Sequence, residues 1–330
     1  MTWRIALATG RFLPVYPDSP ALDRIDVSND EVDQKRADEE ARLAAEQTPV
    51  DPEAPAHLIA IPNEGMMAGQ PTNCYLLGKI DEGPLTLVDS GRPEGFGLFE
   101  RAFADAGIDP TRIQRIILTH CHPDHVGGAA QLKALSGAPV HAPPLETEQI
   151  ERFAPDLEVD HWLDHEAPVA CEGFTLTPVF TPGHSPGHLC FIDSRERMLL
   201  AGDMISGFGS VGIFPPNGSV AQYIESLRRL LALHESESFS AVLPGHGPVV
   251  PNAGAKIEEY IAHRLEREQQ IIAALAAHGP LTVDDLAPHI YTEILPHLLP
   301  AGKATISMHL QKLIEEGRAV VEDEQYRLVS

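Results

Sequence analysis

The most informative segment of the chain is Thr-His-Cys-His-Pro-Asp-His-Val-Gly-Gly, residues 119–128. It follows the mostly apolar residues 113–118, whose pattern predicts a buried strand, so it lies on a loop at a strand end. Neutral imidazole and carboxylate are good ligands for zinc and similar divalent ions. Without a metal, each buried polar group left unpaired at this strand end would lower the stability of the fold by about 1–3 kcal/mol. This cost favours a metal centre over a histidine-rich surface loop. The candidate ligands have the spacing H-x-H-x-D-H and are His120, His122, Asp124 and His125.

Three later segments each add one more candidate ligand. Thr-Pro-Gly-His-Ser-Pro-Gly-His contains His184, Ala-Gly-Asp-Met contains Asp203, and Leu-Pro-Gly-His-Gly contains His246. Each of the three follows an apolar, strand-like stretch and a small residue, as a ligand loop at a strand end would. The metal centre is therefore predicted to draw on several strand ends.

Together with Val-Asp-Ser-Gly at residues 88–91, these motifs resemble the metallo-β-lactamase superfamily over about residues 57–250. The resemblance implies an α/β (α+β) fold, an αββα sandwich with a site for two divalent metal ions between its sheets. Relatives that bind two irons usually have an acidic residue at the second motif position, so His122 favours zinc and hydrolysis. As the resemblance carries over, the first metal is held by His120, His122 and His184, the second by Asp124, His125 and His246, and Asp203 bridges both.

Two further residues near these motifs have open roles. The resemblance implies that Asp89 supports the ligand loop, and the alternative is a helix N-cap; both could hold. His188 is either a hydrogen-bonding partner behind the ligands or a surface histidine. Cys121 could be an additional ligand or a redox sensor, but side chains alternate along an extended segment, so it is expected to point away from the metals.

The composition limits the class of protein. The 330 residues suffice for one large domain and a smaller one. No apolar run approaches the roughly 20 residues that span a bilayer, and the N-terminus is a poor signal peptide, for which a strand is predicted. The four cysteines are scattered, so they are expected to be free thiols in a reducing cytoplasm.

From residue 252 the pattern becomes helical. Helices are predicted at 255–277, from a capping-box-like start at 281–285, and at 304–316, followed by strands at 318–322 and 325–329. This order resembles the winged helix of the β-lactamase-like protein 2 family, most of all in His-Arg-Leu-Glu-Arg-Glu-Gln-Gln-Ile at residues 263–271. The resemblance also implies a homodimer.

Three segments follow from these patterns. Residues 56–250 are predicted to form the metallo-β-lactamase-like catalytic domain, and residues 251–330 the winged helix. Residues 1–55 form an N-terminal extension with an acidic part, in which 31–47 could be a solvated helix or a flexible segment.

The expected activity is hydrolysis by a hydroxide shared between two metal ions, which lower the pKa of water. Asp203, as the bridge, and Asp124, which offsets metal charge, are the predicted catalytic carboxylates. No nucleophilic serine or cysteine is required. A small ester, thioester or lactone is the favoured substrate, because the loop at 206–219, rich in Gly, Pro and Phe, is suited to shaping a pocket.

The net charge of −24 argues against the main alternative, a single-strand endoribonuclease, which the β-lactamase-like protein 2 resemblance suggests. Phosphate contacts come from Lys and Arg, although a local basic groove could survive. Because its wing is acidic, the winged helix is expected to be a wall or lid over the site, or a dimer contact, rather than a DNA reader. A third alternative is a non-catalytic metal-binding module, against which the complete ligand set argues.

Overall fold

The computed structural model describes residues 2–6, 11–14, 56–63, 70–165, 167–292 and 298–329. The acidic stretch 31–47 lies outside these ranges. Within them, no helix is long and apolar enough to cross a membrane.

The first sheet has eight strands in the described ranges, in the spatial order β2-β1-β3-β4-β5-β6-β7-β8. The strands are β1 Thr2–Ala6, β2 Arg11–Pro14, β3 Ala56–Ile61, β4 Thr72–Leu77, β5 Leu85–Val88, β6 Ile113–Ile117, β7 Val140–Ala142 and β8 His161–Trp162. Pairs from β1 to β5 are antiparallel, whereas β5 to β8 run parallel. The predicted N-terminal strand is confirmed. Strand β8 is only two residues long and pairs with β7.

Among the residues that the structure describes, the second sheet contains five strands in the order β13-β12-β11-β10-β9. They are β9 Val169–Cys171, β10 Phe174–Phe180, β11 Leu189–Asp193, β12 Leu199–Gly202 and β13 Val242–Pro244. Only the last pair, β12 with β13, is parallel within this sheet. The apolar stretches expected before His184, Asp203 and His246 correspond to β10, β12 and β13.

Helices cover the outer face of each sheet. They are α1 Phe96–Asp105, α2 Pro123–Val126, α3 Ala129–Ser136, α4 Thr147–Phe153, α5 Val220–Glu237 and α6 Ala253–His278. Phe99, Phe103 and Leu132 from α1 and α3 pack on the first sheet, and Tyr223, Leu227 and Ile257 from α5 and α6 pack on the second. Side chains of both sheets meet in between, among them Leu58, Leu77, Val88, Leu176, Phe191 and Leu200. The predicted αββα sandwich is confirmed.

The helical segment that follows the metal loop is interrupted at two glycines. A Cβ on Gly127 would lie 2.5 Å from the Pro123 carbonyl oxygen, and one on Gly128 would lie 2.3 Å from that of Ser90. Such contacts are too short for any side chain, so glycine lets the metal loop approach the end of β5 closely. The chain forms α2, a break at these glycines, and then α3.

The C-terminal part forms a winged helix around its own core. The second half of α6 packs with α7 (Val283–Ile290) and α8 (Leu299–Glu315), and the hairpin of β14 (Ala319–Glu322) and β15 (Gln325–Leu328) completes the arrangement. The predicted capping box is present, since Thr282 and Asp285 exchange side-chain and backbone hydrogen bonds at the start of α7. The predicted winged helix is confirmed, with α8 beginning five residues earlier than expected.

Candidate metal centre

The seven candidate ligands come together where strands of both sheets end. Because β5 and β6 run parallel, as do β12 and β13, the loops that leave them meet at the same edge. Six of the seven side chains are buried, and His122 is half-buried. Their donor atoms form two groups, each with all atoms within 4.8 Å of one another: His120, His122, His184 and Asp203, and Asp124, His125 and His246.

In the first group, three imidazole nitrogens point at one another. Nδ1 of His122 lies 3.0 Å from Nε2 of His120 and 2.8 Å from Nε2 of His184. The Nδ1–H of His184 donates to the Gly212 carbonyl at 2.9 Å, so its Nε2 carries a lone pair that faces the group. Burial lowers the pKa of His184 to about 3 and lowers the pKa values of His120 and His122 as well. These imidazoles are therefore neutral at pH 7, the form that binds metal.

The second group combines two imidazoles with a carboxylate. The Nδ1–H of His246 donates to the Pro71 carbonyl at 3.0 Å, and Nδ1 of His125 lies 2.8 Å from Asp89 Oδ2. The Nε2 atoms of both histidines are buried and have no hydrogen-bond partner in the described structure. Nε2 of His246 lies 3.4 Å from Asp124 Oδ2. Once deprotonated, these two inward nitrogens and a carboxylate oxygen suit a divalent cation.

Asp203, a member of the first group, also faces the histidines of the second. Its Oδ1 is 3.4 Å from Nε2 of both His125 and His246, and its Oδ2 is 3.4 Å from Nε2 of His184. Oδ1 is buried and has no hydrogen-bond partner in the described residues. A carboxylate whose two oxygens face two sets of donor atoms can contribute one oxygen to each set.

The charges of the second group are mutually stabilising. Burial alone would lower the pKa of His246, because it disfavours the charged ring. The Asp203 and Asp124 carboxylates have the larger effect and raise the pKa of His246 to about 10. For His125 too, burial lowers the pKa, but the Asp203 and Asp89 carboxylates have the larger effect and raise it. In turn, the histidines outweigh burial and hold the pKa values of Asp124 and Asp203 below their ordinary range. This half of the centre is thus an anionic pocket balanced by positive charge.

Asp89 supports the metal loop, as predicted. Its Oδ1 accepts from the backbone N–H of Thr119 at 2.8 Å, and its Oδ2 contacts His125. A carboxylate behind a ligand histidine fixes the ring orientation and raises its basicity. The N-cap alternative was wrong, since the next helical turn begins at Pro93 and has Arg92 as its N-cap.

His188 is fully buried behind Asp203, so the surface alternative was wrong. Its Nε2 accepts the Asp203 backbone N–H at 3.1 Å. Nδ1 therefore carries the proton and donates to Thr181 Oγ1 at 2.9 Å. The ring fixes the backbone from which Asp203 projects.

Cys121 points away from the donor groups, as expected. Its side chain is buried in the core on the outer side of the first sheet. Burial, and then the neighbouring Glu146 carboxylate, raise the pKa of the Cys121 thiol, which leaves it protonated and unreactive.

Sequence reasoning missed several polar residues that support the ligands. Glu146, fully buried, accepts from the Ser185 hydroxyl at 2.5 Å and the Gly187 N–H at 2.7 Å, beside the His184 loop. Asn63 and Thr72 donate to Asp124 Oδ2 at 3.3 and 3.2 Å. None of them stands in a motif, and only the folded chain brings them to the ligands.

Comparison with known proteins agrees with this architecture. Residues 67–246 match the family described as the metallo-beta-lactamase superfamily. The chain belongs to this superfamily. Residues 282–327 match the beta-lactamase associated winged helix domain. The family predicted from the motifs is thus confirmed, and this superfamily fold implies divalent metal ions, typically zinc.

Relatives of this metallo-beta-lactamase superfamily member include a beta-lactamase-like protein 2 homolog from Caenorhabditis elegans, 30% identical over 80% of this chain and 85% of that protein. An atrochrysone carboxyl ACP thioesterase from Aspergillus fumigatus is 33% identical over 64% of this chain and 62% of its own length. Among solved structures, a metallo-beta-lactamase family protein from Thermus thermophilus aligns with a TM-score of 0.69 at 24% identity, covering 83% of this chain and 99% of that one. The chain is a hydrolase of the metallo-beta-lactamase fold.

Proposed function

We propose that the chain is a di-zinc hydrolase that cleaves a small acyl substrate, foremost a thioester, with an ester or lactone as close variants. The position of Asp203 carries the proposal, since its two carboxylate oxygens each lie 3.4 Å from imidazole nitrogens of a different donor group. In this proposal the first zinc is held by His120, His122 and His184, the second by Asp124, His125 and His246, and Asp203 bridges them.

When bound, two such ions supply a nucleophile from water near neutral pH and polarise the acyl oxygen. The chain's own residues hold the carboxylates in place. Asp203 is fixed through its backbone by His188, and Asp124 is fixed by two hydrogen bonds to Oδ2 from Asn63 and Thr72. Asp124 and Asp203 are the proposed catalytic carboxylates, because both offset positive charge where the acyl group reacts.

Three observations support an acyl substrate. Two relatives are named thioesterases, one of them the thioesterase pkgB from Emericella nidulans. Two exposed apolar side chains lie against glycines next to the ligand loops: Phe208 against Gly247, and Leu145 against Gly187. The net charge of −24 disfavours a polyanionic substrate such as RNA.

Several further parts of the proposal concern the whole chain. We propose a catalytic domain over residues 56–250 and a winged-helix domain over 251–330, joined to the extension 1–55. The four free cysteines favour a reducing compartment, which we take to be the cytoplasm. A homodimer is proposed from the family resemblance alone.

The test compares turnover of an acyl thioester and a single-stranded RNA by zinc-loaded protein, each with a chelated sample. We expect thioester cleavage that the chelator abolishes, and no RNA cleavage. Asp203→Ala should lose zinc and nearly all activity, whereas Asp284→Ala, exposed on α7, should change neither. Chelator-sensitive RNA cleavage without thioester turnover would reject the acyl substrate, and zinc retained by Asp203→Ala would reject the bridging role.

A further inference from the structure

The backbone that follows β12 contains one of the proposed ligands and contacts two others. This segment, residues 203–213, is here named the support loop. It begins with Asp203 itself. The N–H of Gly207 donates to the His246 carbonyl at 2.8 Å, and the Gly212 carbonyl accepts from His184 Nδ1 at 2.9 Å. The position of the support loop therefore sets the orientation of the His184 ring and of the His246 backbone.

Three buried side chains from α5 and α6 hold the support loop by its backbone. The Tyr223 hydroxyl donates to the Met204 carbonyl at 2.5 Å. The Tyr260 hydroxyl accepts from the Ser206 N–H at 2.9 Å and donates to the Ser206 carbonyl at 3.1 Å. The Arg264 guanidinium donates to the Val211 carbonyl, one residue before Gly212.

Arg264 is the most unusual of the three. It is only 2% exposed, and it forms no ion pair with any other described residue. Its guanidinium lies 5.0 Å from the Tyr223 ring centroid. Burying a cation is costly unless hydrogen bonds compensate it. An apolar side chain would fill this place without the cost of burying a charge. The hydrogen bond to the Val211 carbonyl is therefore the evident reason for an arginine at this position.

We propose that Arg264 and Tyr260 are positioning residues for the two halves of the metal centre. Arg264 fixes His184 through Val211 and Gly212, and Tyr260 fixes the His246 backbone through Ser206, whose hydroxyl donates to the His246 carbonyl at 3.2 Å. Both side chains project from the helix that continues into the winged helix. This inference rests on the proposed ligand set.

The experiment measures zinc affinity rather than turnover. Two dissociation constants are obtained by competition with a chromophoric zinc chelator. Each is assigned to a site by the ¹⁵N chemical shifts of His184 and His246 in histidine-labelled protein. Loss of a group that orients a ligand typically weakens metal binding about 10–100-fold. We expect Arg264→Met to weaken the first site by about 10-fold and Tyr260→Phe to weaken the second by a similar factor, each with little effect on the other site.

Arg267→Met is the matched control. Arg267 lies on the same helix, one turn further on, and its guanidinium donates to the Ile290 carbonyl at 2.9 Å, within the winged helix. It should leave both dissociation constants unchanged. An equal loss in Arg267→Met, or folded Arg264→Met and Tyr260→Phe variants with wild-type constants, would overturn the inference.

Two more variants keep the test decisive. Should Arg264→Met not fold, Arg264→Lys retains the charge without the planar fork and should still weaken the first site; wild-type affinity there would overturn the role of Arg264. Asp203→Ala separates the two proposals. If Asp203→Ala retains zinc, the proposed ligand set is contradicted. If Asp203→Ala loses zinc but the Arg264 and Tyr260 variants bind it with wild-type affinity, only the positioning role is contradicted.

Discussion

The two halves of the metal centre should differ in how binding depends on pH. The carboxylates around His246 raise its pKa to about 10, so at pH 7 a metal entering the second group must displace that proton. At pH 7, about three units below this pKa, competition with the proton weakens the apparent zinc affinity of the second group about a thousand-fold, or by about 4 kcal/mol. The raised pKa of His125 adds a second proton. Because His246 is protonated at any pH below its raised pKa, the zinc affinity of the second group rises with pH through the neutral range.

The first group behaves differently. Burial lowers the pKa of His184 to about 3, and those of His120 and His122 are lowered too, so their nitrogens are available above pH 6 without displacing protons. We expect the first zinc equivalent to bind with almost the same affinity from pH 6 to 8. The second equivalent should tighten at least about 10-fold per pH unit, because the proton on His246 leaves and the raised pKa of His125 adds to the competition.

The assay is isothermal titration of chelator-treated protein with zinc at pH 6, 7 and 8, in pairs of buffers with different ionisation enthalpies. Dependence of the heat on the buffer counts the protons released with each equivalent. We expect about none for the first and at least one for the second at pH 7. His161→Gln, exposed on β8, should give the same counts. Equal proton release at both steps, or second-site affinity independent of pH, would refute the electrostatic reasoning.

Three other substitutions, the last paired with a control variant, probe the surroundings of the site and the winged helix. His188→Phe removes the acceptor for the Asp203 N–H and should weaken zinc binding about 10–100-fold, measured by chelator competition; unchanged affinity would contradict its role. Cys121→Ala should keep the full zinc content in elemental analysis, because the thiol points into the core; loss of one equivalent would make it a ligand. Leu310→Ala, at a fully buried position, should lower the free energy of urea unfolding by about 2–5 kcal/mol, whereas Val321→Ala, exposed on the wing, should change it by less than about 0.5 kcal/mol; equal losses would contradict the assigned core.

The motif residues were predictable because their chemistry is local. Three histidines and an aspartate within six positions after an apolar stretch indicate a metal loop before any tertiary structure is known. The winged helix was predictable for a similar reason, since helix periodicity and the capping box at Thr282 depend on near neighbours.

The features that could not be predicted depend on contacts distant in sequence. Strand β8 is two exposed residues whose only sheet partner in the described ranges is β7, 20 positions earlier, so no alternation marks it. Glu146 and His188 lack any local pattern that separates a buried supporting group from a surface one. The break after α2 follows from the approach of Gly127 and Gly128 to the end of β5, which sequence periodicity does not record.

Helix α6 has a consequence for how the molecule unfolds. Its first half contributes Ile257 and Tyr260 to the core of the sandwich, and its second half contributes Ile271 and Leu275 to the core of the winged helix. Its 26 residues form one continuous α-helix, so melting either half removes helical support from the other, and helix formation is cooperative. The two modules are therefore expected to lose structure together in a single transition, and a chain cut at residue 250 would expose apolar surface on the second sheet and aggregate.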